Sequence, residues 1–114
     1  MAKLERELYG DYDTIVKSVY DSVMNGSMTA SLEDSSRFYG NGTRCDVMVF
    51  ERYSMLGDNR VSLSVTFFEA DGRIFVSAIS SGGSKATFFK FNTIGEETFL
   101  DTVRKTINSY SLPV

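Results

Sequence analysis

The sequence predicts an α+β domain in the order β-α-β(4–5)-α, a curved antiparallel sheet with two helices packed on one face. Three observations predict it. Apolar residues recur with a helical period near each end of the chain, the stretch between them alternates with a period of two, and Asn, Asp and Gly pairs punctuate that stretch.

Leu4, Arg6 and Leu8 alternate with Lys3, Glu5 and Glu7, as in a short strand at a sheet edge. Over 12–24 the period changes: Ile15, Val16, Val19, Tyr20 and Val23 share one helical face, with Asp13, Lys17, Asp21 and Ser22 on the other. Asp11 is placed to cap this helix, and Asn25-Gly26 to stop it through a left-handed backbone. Met28, Ala30 and Leu32 predict a strand over 27–33, and 35–42 reads as a loop.

The strand expected over 43–53 sets Cys45, Val47 and Val49 on one face, Met48 and Phe50 on the other. Gly57-Asp58-Asn59 supplies turn chemistry. The next strand, 60–70, directs Val61, Leu63, Val65 and Phe67 inward and Ser62, Ser64, Thr66 and Phe68 outward. Asp71-Gly72 is the strongest hairpin signal, because a type I′ turn needs positive φ at both central residues. A strand over 73–81 follows, then a turn at Gly82-Gly83-Ser84 and a last strand over 85–91. Thr93-Ile94-Gly95-Glu96 matches a capping box and opens the second helix, whose stripe is Phe99, Leu100, Val103, Ile107 and Tyr110.

Composition narrows the function. The 114 residues suit one domain, 1–114, with its own core. With no histidine and one cysteine, the usual transition-metal ligand sets and His-based triads cannot be assembled, so neither a cofactor nor an enzyme is expected. A net charge of −3, scattered arginines and no RNA-binding signature speak against nucleic acid. No apolar run approaches the length of a membrane span, and no secretory leader is evident, so a reducing cytoplasm is the expected location. Asn25-Gly26-Ser27 and Asn41-Gly42-Thr43 match the glycosylation triplet but read as turns.

The outward face is the informative feature. Ser62, Ser64, Thr66 and Phe68, with Met48, Phe50, Phe75 and Ile79 as expected neighbours, carry no charge, although a wetted sheet face normally does. A second copy packing sheet to sheet is the expected cover, giving a homodimer. The alternative is a sheet wrapped round the C-terminal helix, with a cavity for a small apolar ligand. A bare sheet surface is the plainest account, since Thr and aromatic residues are good strand formers.

Ser81, Gly82, Gly83, Ser84 and Lys85 faintly match an anion-binding loop, but no helix signal follows at the required spacing, and a hairpin turn explains them. Asp11-Tyr12-Asp13 and Glu33-Asp34 are the nearest to paired carboxylates, and capping or strand-end positions account for both. Glu51 and Arg60 read as a cross-strand pair.

The stretches 30–35 (Ala-Ser-Leu-Glu-Asp-Ser), 51–53 (Glu-Arg-Tyr), 59–63, 79–84 and 95–100 resemble a family of short, uncharacterised bacterial proteins, mostly from Gram-positive anaerobes. That resemblance implies no activity and transfers no catalytic residue. The element order also resembles TATA-binding-protein-like and helix-grip folds, with one strand beyond the minimal pattern. Helix-grip relatives that hold lipids are longer than this chain.

Overall fold

The computed structural model describes residues 1–54, 59–82 and 89–112. Its elements are β1 (Ala2–Leu8), α1 (Tyr12–Gly26), β2 (Ser31–Gly40), β3 (Thr43–Ser54), β4 (Asn59–Ala70), β5 (Arg73–Gly82) and α2 (Phe89–Tyr110). The five strands form one antiparallel sheet in the order β1-β5-β4-β3-β2. β2 through β5 are a meander of hairpins, and the first strand closes the far edge against β5.

The period-two pattern of β4 fixes which face is buried. Val61, Leu63, Val65 and Phe67 are fully buried, and pairing carries the same face to Val76 and Ala78 on β5 and to Leu4 on β1. Both helices cover this face. α1 supplies Tyr12, Ile15, Val16, Val19 and Val23, and α2 supplies Phe99, Leu100, Val103 and Ile107. At roughly 1.5–3 kcal/mol for each large apolar side chain removed from water, this single layer between helices and sheet is the main stabilising term.

Local chemistry sets the boundaries. Asp11 Oδ2 accepts from the Thr14 backbone N–H at 3.0 Å and from Thr14 Oγ1 at 2.8 Å, capping α1 as expected. These bonds hold the Asp11 carboxyl below its usual range. At the other end the expected left-handed stop is absent. α1 is capped by Ser27 in an extended conformation, and a Cβ on Gly26 would sit 3.2 Å from Cβ of Thr102 on α2. Gly26 thus serves helix–helix approach rather than chain reversal.

Three further expectations are corrected. The second strand is 31–40, not 27–33, and Asn41-Gly42 is its turn to β3, with φ of 53° and 75°. Residues 89–91 begin α2 rather than end a sixth strand, while 85–88 lie outside the described residues. Thr93 is therefore inside the helix and not its cap. Among the described residues four strands separate the helices, which is the strand-helix-four-strand-helix order itself.

Candidate functional site

With both helices on one side, no element among the described residues covers the other face of the sheet. β3 contributes Cys45, Val47 and Val49 to it, β4 contributes Ser62, Ser64, Thr66 and Phe68, and β5 contributes Phe75, Ser77 and Ile79. All are half-buried by their neighbours except Phe68, which is 42% exposed. None is ionisable except the Cys45 thiol. The outer strand adds Phe38, 64% exposed, beside Cys45.

Met48 and Phe50 do not belong to this face. They pair with Val65 and Leu63, are 7% and 0% exposed, and Phe50 lies with its ring centroid 6.0 Å from that of Tyr20 on α1. Both faces of β3 are apolar, so alternation alone could not tell inward from outward. Val47, Val49 and Cys45 take the places assigned to them. The pairing of Asp46 with Phe67 was the missing signal, because Asp46 is the inward residue that α1 satisfies through Tyr12.

Charge is confined to the rim of the open face. Along β1, Arg73 donates to Glu7 through Nε and Nη2 at 3.0 and 2.9 Å, holding that carboxyl below its usual range. The same guanidinium stands 5.0 Å over the Phe75 ring. Lys3 lies 3.7 Å from Glu5. At the opposite corner Arg60 binds Glu51 at 2.7 Å and Glu33 at 3.7 Å, which makes the Glu51 and Arg60 pair a cross-strand contact. The centre of the face is thus uncharged, small polar side chains on β4 flanked by Val47, Val49, Phe75 and Ile79. A solvent-open concavity of about 430 Å³ lies over Phe68, Phe75, Thr66 and Ser77, walled by Glu5 and Glu7.

The glycine-rich loop offers less. Ser81 bonds Ser62 on the open face at 2.9 Å, and the Gly82 N–H donates to Oε2 of Glu96 at 2.7 Å, so an internal carboxylate already occupies that amide. Gly83, Ser84 and Lys85 lie outside the described residues. Arg52 is half-buried over the Phe99 ring, 4.6 Å from its centroid, and burial lowers its pKa. Its Nη2 donates to the Gly95 carbonyl at 3.5 Å. Among the described residues no group of three or more Asp, Glu or Cys is arranged to hold a metal ion, and no helix is long and apolar enough to cross a membrane.

Fold and face together define a small α+β domain with a sealed helical side and a bare sheet side. The chain belongs to DUF6054, a family of unknown function whose model matches residues 1–111. No curated protein and no solved structure matches it.

Proposed function

We propose that this chain is a cytoplasmic, non-enzymatic association module that homodimerises through the open face of its sheet. The observation that carries the reading is the distribution of charge: the face has no acidic or basic side chain at its centre on β3, β4 or β5, while Lys3, Glu5, Glu7, Arg73, Glu51 and Arg60 ring it. Strand spacing and rise give the face roughly 550 Å² per copy, so two copies would bury about the 1,000 Å² that a specific interface needs. The Val47, Val49, Phe68, Phe75 and Ile79 side chains on that face are costly to leave wet and cheap to cover with their own equals. The unpaired Cys45 suits a reducing compartment.

A second reading is a binder of an apolar metabolite or lipid, supported by the concavity over Phe68 and Phe75. It lies on the bare side of the sheet rather than beneath the C-terminal helix. Gel filtration with light scattering up to high micromolar concentration separates the readings. A dimer that Thr66→Glu with Phe68→Glu converts to monomer, with unchanged far-ultraviolet circular dichroism, supports self-association. Monomer at every concentration removes it. Thermal stabilisation by hydrophobic metabolites, with a co-purifying mass in native mass spectrometry, favours the second reading.

A further inference from the structure

We infer that Arg52, at the margin of the helical side of the sheet, anchors an oxyanion, the carboxylate or phosphate group of a small ligand, at a site separate from the open face. Arg52 lies near the C-terminal end of β3, in the row that continues through Val61 to Gly82. Its guanidinium stands 4.6 Å from the centroid of the fully buried Phe99 ring, which places it against α2. β2 begins opposite Glu51, so among the described residues no strand runs beside Arg52 on that flank. The side chain is accordingly half-buried and still open to solvent.

Elsewhere in the chain, burial of an arginine comes with carboxylates. Arg44 and Arg104, the other half-buried arginines among the described residues, each bind two: Glu69 and Asp13 for the first, Asp101 and Glu97 for the second. Even the exposed Arg37, Arg60 and Arg73 hold acidic partners. Arg6 has none, but it is exposed and water solvates it. Arg52 is half-buried and has none. Its one acceptor among the described residues is the Gly95 carbonyl, 3.5 Å from Nη2. Taking this cation out of water costs free energy that an aromatic face returns only in part, and the same burial lowers its pKa.

The donors select the ligand. A guanidinium presents its N–H groups in a planar fork that matches two oxygens of a carboxylate or phosphate, and it keeps its charge at physiological pH. The Phe99 ring offers a platform but no acceptor, and a single carbonyl at the limit of hydrogen-bond length leaves most of the fork's donors without a protein acceptor. Glu96, the acid beside Gly95 on α2, is committed elsewhere: its Oε2 accepts from the Gly82 N–H and its Oε1 from the Met1 amino group, both at 2.7 Å. An oxyanion seated on Arg52 forms charge-assisted hydrogen bonds to a partly dehydrated cation, the setting in which such bonds are strongest.

The test follows the Arg52 side-chain Nε–H signal by nuclear magnetic resonance while sodium acetate or, separately, inorganic phosphate replaces chloride at constant ionic strength. At least one probe should shift that signal and the Gly95 amide along a saturating curve, and the stronger response names the group the site prefers. Arg52→Met keeps bulk over Phe99 and removes the donors, so the affinity read at the Gly95 amide should fall by at least about tenfold, the equivalent of one charge-assisted hydrogen bond. Arg6→Met removes an exposed arginine and should leave the affinity unchanged. Thr66→Glu with Phe68→Glu should bind the probe as the parent does, because those residues lie on the other side of the sheet, so this inference stands or falls apart from the homodimer. Shifts in the parent that stay linear with both probes, or an unchanged affinity in Arg52→Met, overturn the site. The parent titration decides by itself if Arg52→Met does not fold.

Discussion

Tyr12, the first residue of α1, donates its phenol proton to Asp46 Oδ2 on β3 at 2.8 Å, and both groups are buried. The contact ties a helix terminus to the one acidic side chain that points from β3 into the core side. Arg37 Nε donates to the other carboxylate oxygen at 2.7 Å from the exposed edge strand, and the Arg44 guanidinium lies 4.2 Å over the Tyr12 ring. A chain of alternating charge and aromatic surface thereby seals one corner of the sheet.

Removing the phenol oxygen tests that corner. Tyr12→Phe keeps the edge-on packing against Phe67 but leaves Asp46 Oδ2 without its donor, and a buried acceptor left unpaired costs about 1–3 kcal/mol. Burial, then the hydrogen bond to Asp46 and its charge, raise the Tyr12 pKa well above its ordinary 10.0. The folded state therefore holds this proton where the unfolded chain releases it. The Tyr12 contribution is constant below that ordinary value and falls as pH rises beyond it. Urea midpoints measured at about pH 9 and about pH 11 should drop less in Tyr12→Phe than in the parent. Equal drops would show that the phenol is not the responsible group.

Adjacent residues on β4 give the sharpest contrast in the molecule. Phe67 is fully buried beneath the helices, and Phe68 is 42% exposed on the bare face. Phe67→Ala should lose about 3–5 kcal/mol in urea unfolding, the range for emptying an aromatic core site. Phe68→Ala in dilute solution should stay within about 1 kcal/mol of the parent. At concentrations where the proposed dimer forms, Phe68→Ala should shift the association midpoint upward. A large loss from Phe68→Ala in dilute monomer would mean that its ring packs within the chain.

Those two residues also show why most of the fold was legible. β4 alternates a fully apolar set with a small polar set, and one face buried against helices leaves no choice of register. The stripes of both helices were equally plain, since Ile15, Val19, Val23, Phe99, Val103 and Ile107 recur at helical spacing and are all buried. β3 was ambiguous because Val47 and Val49 on one face are as apolar as Met48 and Phe50 on the other, so membership of the bare face had to await the pairing partners. β2 was invisible to periodicity for the opposite reason. Nearly every residue from Leu32 to Gly40 is exposed on both faces, so nothing selects for alternation, and pairing to β3 alone makes it a strand. The Asn41-Gly42 pair was the available signal, the same hairpin chemistry that marked Asp71-Gly72.

Both hairpins make the same demand on their glycines. Gly42 and Gly72 have φ of 75° and 73°, and a Cβ at either would meet nothing within 4 Å. The cost of Gly42→Ala or Gly72→Ala is thus backbone strain alone, about 1–2 kcal/mol. Gly40 also has open space around it, without positive φ. Gly40→Ala should be neutral or stabilise slightly, by up to about 1 kcal/mol, through the unfolded chain. Thermal unfolding of the three variants checks the ordering. A loss at Gly40 as large as at Gly72 would refute backbone strain as the cause.

The edge strand β2 carries the last prediction. Its amides bond to β3 on one side only, its register slips between Leu32 and Asp34, and its side chains bury little on either face. Local opening of β2 in the monomer therefore costs less than opening β4, which is paired on both sides and covered by helices. Hydrogen exchange in dilute protein should run faster in β2 than in β4. In the proposed dimer the second copy covers the open face, β2 included, so β2 exchange should slow as concentration rises through the association range. Thr66→Glu with Phe68→Glu should abolish that slowing and leave the dilute rates unchanged. Association that leaves β2 exchange untouched would place the contact away from this flank of the sheet.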